Sequence, residues 1–189
     1  MKIVIDGNIG CGKSTLIKKI SLDNNLSAKL FNEPLEDWDE WLKLFYSDMS
    51  KYSFGFQMRV LKSHLDKKKI NDGIFERSPL SCQKVFGQLL FEDKMMTHLE
   101  WNLTEEFNYD YGWIPDIVFY LKCDPEICLK RIQNRSRDGE NSISIDYLKR
   151  LDSKYNLLYL NPNANFKVIV IDGSQCISTV YQDFIKNLF

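Results

Sequence analysis

The stretch Gly7-Asn8-Ile9-Gly10-Cys11-Gly12-Lys13-Ser14-Thr15 decides the fold, because it fits the pattern G-x-x-x-x-G-K-[ST]. The β-branched segment 2–6 before it predicts a buried strand, and the apolar spacing of residues 15–20 after it predicts a helix. Glycines in such a loop let backbone N–H groups and the helix N-terminus point at phosphate oxygens. Lys13 would place its charge on the β- and γ-phosphates, and the Ser14 hydroxyl is suited to Mg²⁺. The stretch therefore predicts binding of a nucleoside triphosphate with Mg²⁺; the alternative is a glycine-rich turn that matches by chance.

The composition limits the class of protein. The chain has 189 residues and no linker-like stretch, which predicts a single domain over residues 1–189. A formal net charge of −1 argues against a partner such as duplex nucleic acid. Five cysteines without paired C-x-x-C spacing predict thiols in a reducing compartment. No apolar run reaches ~18 residues and the first strand begins at about residue 2, so we expect a cytoplasmic protein without a signal peptide, a transit peptide or a membrane segment.

Strand and helix signals alternate along the chain. Besides 2–6, the strand candidates are 28–31, 73–77, 116–121 and 167–172, and the helical stretches are about 37–69, 79–91, 94–111, from 125 onward, and 178–188. Strands separated by helices predict an α/β fold with a five-stranded parallel sheet covered by helices on both faces. In such sheets the ligand site lies beyond the carboxyl ends of the strands.

Two carboxylates and a guanidinium come directly after predicted strands. Glu33 follows one strand, and Glu76 and Arg77 close another. A carboxylate there can orient an acceptor hydroxyl and take its proton, and a second carboxylate can hold Mg²⁺. The arginine can neutralise charge on the transferred group. The alternative interpretation is a structural ion pair between glutamate and arginine.

A group of arginines follows the helix that begins at Pro125. Arg131, Arg135 and Arg137 have a spacing that could close over a triphosphate as an arginine-rich lid at about residues 131–141, because guanidinium groups match phosphate oxygens. The alternative is a solvated charged face.

Together these motifs resemble the deoxyribonucleoside kinases, the family that includes mitochondrial thymidine kinase, deoxycytidine kinase, deoxyguanosine kinase and the broad-specificity insect enzyme. The resemblance covers nearly the whole chain. It rests on the loop at 7–15, Glu33-Pro34 with Trp38, Tyr46, Ser53-Phe54-Gly55-Phe56-Gln57, Glu76-Arg77-Ser78, the segment 115–121, the arginines and Asp146-Tyr147-Leu148. It implies a P-loop kinase fold and ATP-dependent, Mg²⁺-assisted phosphorylation of a deoxyribonucleoside 5′-hydroxyl in nucleotide salvage. It also implies a homodimer.

The resemblance implies roles for individual residues. Glu33 would be the general base with Arg77 beside it, and Glu76 would hold Mg²⁺ together with Ser14. The residues implied to surround the deoxynucleoside are Tyr46 and Glu140 at the 3′-hydroxyl, Gln57 at the base edge, Phe86 stacked on the base, and Trp38, Phe56, Val60, His64 and Cys82 as pocket walls. Aromatic residues in a long helix are otherwise more often core.

Base preference depends on His64 and Cys82. In relatives that prefer deoxycytidine or purines, these two places hold an arginine and an aspartate, whereas here the charged pair is absent. The neutral lining resembles that of thymidine-preferring and broad-specificity members, so we expect pyrimidine deoxynucleosides to be preferred; the alternative is that His64 only packs on its helix. Two other functions stay open at this point: a thymidylate-type nucleoside monophosphate kinase, and a non-catalytic nucleotide-binding module.

Overall fold

The computed structural model of the protein describes residues 1–24, 26–135, 137, 140–162 and 164–188. The chain packs as two compact units. The first contains Met1–Asn32, Asn71–Glu76 and Pro115–Phe189, and the second contains Glu33–Ile70 and Arg77–Ile114. The single domain expected from the composition stays a prediction.

A five-stranded parallel sheet forms the centre of the first unit, which confirms the predicted α/β fold. Its strands are β1 (Lys2–Gly7), β2 (Leu30–Phe31), β3 (Gly73–Glu76), β4 (Ile117–Lys122) and β5 (Lys167–Asp172), in the order β2-β3-β1-β4-β5. β1, β3 and β4 are almost wholly buried, as their continuous apolar sequences require of central parallel strands. β1 lies in the middle, so the glycine loop leaves the sheet at its centre.

Most helices follow the sequence signals with small shifts in their bounds, but the helix over residues 145–159 was not predicted as a separate element. They are α1 (Lys13–Ser21), α2 (Leu35–Ser47), α3 (Met49–Leu65), α4 (Pro79–Ser81), a π-helix (Cys82–Gly87), α5 (Gln88–Glu92), α6 (His98–Tyr111), α7 (Pro125–Arg135), a 3₁₀ turn (Glu140–Ser142), α8 (Ile145–Tyr159) and α9 (Ile177–Leu188). In the described part of the chain, no helix is long and apolar enough to cross a membrane.

The first unit also contains α1, α7, α8 and α9, and their packing follows from apolar spacing. On α1, Leu16, Ile17 and Ile20 are buried at the interval of one helical face. α1 packs against α9, and α7 packs against α8. Pro125 begins α7, where its missing N–H group costs nothing.

The second unit consists of α2 to α6 and the π-helix around a core of Phe45, Leu90, Met96 and Trp101. The single helix predicted over about 37–69 is wrong at one point, because the chain breaks at Asp48. There the backbone is extended, with φ −155° and ψ 89°, and the Asp48 side chain accepts from the Lys51 N–H to cap α3.

Candidate active site

Gly10 and Gly12 each have a structural role in the glycine loop. Gly10 has φ 79° and Gly12 has φ 107°, a left-handed region that other residues rarely adopt. A Cβ on Gly10 would lie 2.6 Å from the carbonyl oxygen of Cys128, so only glycine permits this approach to α7. Gly12 precedes α1 without any side-chain cap, which leaves the first N–H groups of α1 available to an anion.

Lys13 lies within the loop rather than in solvent. Its side chain is buried, and its ammonium donates to the carbonyl oxygens of Asn8 at 2.9 Å and Gly7 at 3.3 Å. Asn8 in turn donates from its side-chain amide to the Leu148 carbonyl at 2.8 Å, which fastens the loop to α8. The Lys13 ammonium group, which is expected to bind the β- and γ-phosphates, is therefore held at the loop by these hydrogen bonds.

Ser14 and Glu76 lie together at the end of β3. The Ser14 hydroxyl donates to Oε1 of Glu76 at 2.7 Å, and Glu76 is only 3% exposed. Among the described residues no cluster of three or more His, Cys, Asp or Glu side chains could hold a metal ion. One carboxylate and one hydroxyl nevertheless fit Mg²⁺, which is usually held by one or two protein oxygens together with phosphate oxygens and water.

A cavity of about 500 Å³ opens at the glycine loop. This size suits a small-molecule ligand. Its lining comprises residues 10–15 of the loop, the three arginines Arg131, Arg135 and Arg137, and the residues Gly173, Gln175, Cys176, Ile177 and Val180. The residues of α9 that line this cavity, Ile177 and Val180, were not predicted from the sequence.

Arg131 contacts backbone carbonyl groups, whereas Arg135 and Arg137 share Glu140 as a partner. Arg131 donates from Nη1 to the carbonyl oxygens of Gly173 at 2.7 Å and Cys11 at 3.3 Å, so it joins the loop to the chain after β5. Arg135 makes a bidentate pair with Glu140, with distances of 2.7 Å from Nε and 2.6 Å from Nη2, and Arg137 adds a contact of 3.3 Å to Glu140. Glu140, expected at the sugar, thus binds two lid arginines here. Residues 136, 138 and 139 of the predicted lid lie outside the described residues.

Four of the five cysteines lie in the first unit, and Cys82 lies in the second. All five are described, and they form no disulfide. A hydrogen bond with Cys128 and the nearby Arg131 hold the pKa of Cys123 below its ordinary value, against the effect of burial. Cys176 is exposed beside the cavity, and its contact with Thr179 lowers its pKa.

In the second unit, Glu33 and Arg77 form a mostly buried ion pair. Arg77 Nε lies 2.9 Å from Glu33 Oε1, and the two side chains are 6% and 14% exposed, respectively. Arg77 has φ 59°, a conformation that costs a non-glycine residue about 1–3 kcal/mol and that tends to cluster at functional sites. The Arg77 guanidinium lies 4.7 Å from the centre of the Phe86 ring. One face of the predicted stacking ring is therefore covered by Arg77.

Gln57 and Cys82, both expected in the base pocket, contact each other. The Gln57 amide nitrogen donates to the Cys82 carbonyl at 2.7 Å and lies 3.3 Å from the Cys82 sulfur. Both residues are buried. The contact brings α3 against the first residue of the π-helix.

Trp38 and His64 form a second buried contact. Their rings are 6.2 Å apart in an edge-on arrangement. Trp38 Nε1 and both ring nitrogens of His64 are buried without a hydrogen-bond partner, which is uncommon for buried polar groups. Burial, with smaller effects from Lys67 and Arg77, lowers the pKa of His64 to about 3, so its ring is neutral.

The remaining predicted pocket residues are half-buried. Tyr46 and Phe56 both pack against Phe45, with ring centres 5.3 and 5.0 Å apart, and Val60 lies on α3. Tyr46 and Phe56 thus belong to the apolar core of the unit as well as to the predicted pocket.

The first unit combines a parallel sheet, a lysine-containing phosphate loop at the central strand, and arginines that line the cavity at that loop. These features define a P-loop kinase. The deoxynucleoside kinase family model matches residues 3–188, and the chain belongs to this family, as the sequence motifs indicated.

Curated and solved relatives agree with this assignment. A probable deoxycytidine kinase of fowlpox virus is 36% identical, and the match covers 100% of this chain and 89% of the relative. A thymidine kinase of Ictalurid herpesvirus 1 is 33% identical over 80% of this chain and 71% of its own length. The structure of a deoxyadenosine kinase from M. mycoides with bound dCTP superposes with a TM-score of 0.88 at 27% identity, covering 100% of this chain and 98% of that one. The protein is therefore a kinase, which removes the non-catalytic alternative.

Proposed function

We propose that the protein transfers the γ-phosphoryl group of ATP to the 5′-hydroxyl of a deoxyribonucleoside and that it prefers pyrimidines. The observation that carries this proposal is the pair of Glu33 and Arg77, a carboxylate held at 2.9 Å by a mostly buried guanidinium. A monophosphate kinase has to receive a phosphate at its acceptor end. A carboxylate suits a neutral hydroxyl, because it can orient the hydroxyl and accept its proton as the new bond forms.

The ATP side of the reaction belongs to the first unit. Deoxynucleoside kinases use ATP as the phosphate donor, generally with a divalent metal; we propose Mg²⁺, held by the Ser14 hydroxyl and the Glu76 carboxylate. The ion would supply charge neutralisation between the β- and γ-phosphates. Lys13 supplies a positive charge that follows the transferred group, and the lid arginines bind the remaining phosphate oxygens.

The acceptor side uses the second unit. Glu33 takes the 5′-hydroxyl proton, and Arg77 fixes the carboxylate and neutralises charge on the transferred group. We propose that Tyr46 and Glu140 contact the 3′-hydroxyl.

The pyrimidine preference rests on an uncharged pocket lining. His64 is neutral and Cys82 is buried, and neither supplies the charged pair expected in relatives that prefer deoxycytidine or purines. The similarity to a thymidine kinase and to a probable deoxycytidine kinase supports the proposal, whereas the similarity to a deoxyadenosine kinase is the reason to measure purines as well.

We also propose that the protein is a homodimer. α6 exposes Leu99, Leu103, Phe107 and Tyr111 at intervals of four residues, which makes an apolar stripe along one side of the helix. Sedimentation equilibrium at micromolar concentration should give twice the 22.3 kDa of one chain, and Leu103→Glu should shift the mass to the monomer. A wild-type mass of one chain would contradict the dimer.

The direct test uses purified protein with ATP and Mg²⁺, and separates nucleosides from their monophosphates by ion-exchange chromatography. At least one of deoxycytidine and thymidine should yield the 5′-monophosphate, and dCMP and dTMP should yield no diphosphate. Phosphorylation of the monophosphates alone would establish the thymidylate-type alternative instead.

A further inference from the structure

We propose that Tyr159 and Asp6 are positioning residues for Lys13. Tyr159, at the end of α8, holds the Asp6 carboxylate. Asp6 in turn holds Gly7, whose carbonyl oxygen receives the Lys13 ammonium. The inference rests on the proposed function, because it requires Lys13 to act on the phosphates of ATP.

Asp6 is a carboxylate without access to solvent. It is 0% exposed, and a buried carboxylate is costly unless hydrogen bonds satisfy its oxygens. Asp6 Oδ1 accepts from the Gly7 N–H at 2.8 Å, and Oδ2 accepts from the Tyr159 hydroxyl at 2.7 Å. The two oxygens belong to one planar group, so the phenol that holds Oδ2 also sets the direction of Oδ1 towards Gly7.

The Tyr159 hydroxyl is itself held in place by packing. Tyr159 is 2% exposed, and the centre of its ring lies 5.4 Å from that of Tyr120 and 6.0 Å from that of Tyr155. A buried phenol needs a hydrogen-bond partner for its O–H group, and Asp6 provides one.

α8 holds the chain on both sides of Gly7. Tyr159, the last residue of α8, binds Asp6, and Leu148, near its start, accepts from the side-chain amide of Asn8 at 2.8 Å. The second contact gives a role to the segment Asp146-Tyr147-Leu148, one of the motifs found in the sequence.

Gly7 transmits this restraint to Lys13. Its N–H donates to Asp6, and its carbonyl oxygen accepts from the Lys13 ammonium at 3.3 Å. Gly7 has φ 147°, and a Cβ there would lie 2.5 Å from the Leu121 carbonyl oxygen, so no side chain can restrain this turn. The bond from the Gly7 N–H to Asp6 therefore helps to orient the carbonyl that receives Lys13.

Tyr159→Phe tests the positioning role, because it removes one hydroxyl and keeps the ring. A displaced Lys13 ammonium stabilises the transferred phosphoryl group less well, so kcat/KM for ATP should fall about 10-fold, whereas KM for the deoxynucleoside should stay within about 2-fold. A purely structural role would lower Tm and leave both values unchanged at temperatures well below the Tm of the variant. Unchanged kcat/KM for ATP would overturn the inference.

Tyr120→Phe is the matched control. Tyr120 lies opposite Asp6 in the neighbouring strand β4, and its hydroxyl donates to Asn156 of α8 at 3.1 Å. The variant removes the same group from the same tyrosine cluster, so it should lower Tm but leave kcat/KM for ATP within about 2-fold. An equal loss in both variants would mean that the cluster, rather than the contact with Asp6, matters.

Substitutions of Asp6 provide a second test that does not depend on Tyr159→Phe. Asp6→Asn keeps an oxygen for the Gly7 N–H, and its amide nitrogen can donate to the phenol oxygen, whereas Asp6→Ala loses both contacts. We expect kcat/KM for ATP to fall about 10-fold or more in Asp6→Ala and to stay within about 3-fold in Asp6→Asn. Equal losses would show that the charge of Asp6 acts, not its contacts, and would overturn the inference.

A variant without Lys13 shows whether the effect passes through Lys13. Calorimetric titration with ATP and Mg²⁺ should give a Kd that Tyr159→Phe raises about 10-fold in the wild-type background and less than about 2-fold in the Lys13→Ala background. Equal effects in both backgrounds would contradict the proposed route. If Lys13→Ala binds ATP too weakly for titration, the comparison of Tyr159→Phe with Tyr120→Phe decides.

Failure of the inference and failure of the proposed function look different. A wild-type protein that phosphorylates no deoxynucleoside refutes the function, whereas an active protein whose kcat/KM for ATP is unaffected by Tyr159→Phe refutes only the positioning role.

Discussion

Replacement of Glu33 by Gln tests the proposed general base. The amide keeps the shape of the side chain, and its oxygen can still accept from Arg77, but it cannot take the proton of the 5′-hydroxyl. Loss of a positioned base typically lowers the rate by about 10²- to 10⁴-fold, so kcat should fall within that range. KM for ATP should stay within about 2-fold, because the glycine loop is untouched.

The structure also predicts an effect on stability. Arg77 is 5% exposed, and the negative charge of Glu33 compensates the positive charge of the Arg77 guanidinium. A neutral partner leaves that charge less well compensated, which should reduce the free energy of unfolding by about 1–3 kcal/mol. Activity therefore has to be measured well below the Tm of the variant, with folding checked by circular dichroism.

The matched control is Glu36→Gln, an exposed residue in the first turn of α2. It removes the same charge nearby in sequence and should leave kcat within about 2-fold. A Glu33→Gln enzyme that keeps more than a tenth of the wild-type kcat would show that another group accepts the proton.

Three further predictions address the remaining groups. Lys13→Ala should lower activity equally for every acceptor base, because the charge of Lys13 follows the γ-phosphate. An effect on one base only would contradict that role. The control is Lys18→Ala, which removes an exposed lysine of α1. Glu140→Gln should raise KM for a deoxynucleoside about 10-fold or more but leave a 2′,3′-dideoxynucleoside unaffected, whereas equal losses would mean that Glu140 only holds the lid arginines. Burial holds the pKa of His64 at about 3, below 6.5 in the unfolded chain, so the unfolded state takes up a proton first as the pH falls. Stability should therefore decline by up to about 1.4 kcal/mol per pH unit below pH 6.5, and urea unfolding of His64→Met should lack this slope.

The sheet and the phosphate loop could be predicted from the sequence, because their signals are local. The glycine pattern over residues 7–15, the apolar strand before it and the helix after it are each recognised from residues within a few positions of one another. The break at Asp48 was missed, because the helical pattern continues on both sides and only the cap on Lys51 N–H marks it.

The arrangement of the pocket could not be predicted in the same way. Gln57 contacts Cys82, which lies 25 residues later in the chain, and Gly87 leaves space for the Gln57 nitrogen. The pairing of Arg135 with Glu140 joins the last residue of α7 to the first residue of the 3₁₀ turn. Contacts of this kind depend on the folded path of the chain, so residue types and spacing suggest which residues take part but not which atoms face the ligand.

The most direct test of the central claim is kcat/KM for thymidine, deoxycytidine, deoxyadenosine and deoxyguanosine, measured with ATP and Mg²⁺ under one set of conditions. We expect 5′-monophosphate from at least one pyrimidine, at a higher kcat/KM than either purine deoxynucleoside. A higher value for deoxyadenosine or deoxyguanosine than for both pyrimidines would contradict the interpretation of His64 and Cys82, and the absence of any 5′-monophosphate would contradict the proposed reaction itself.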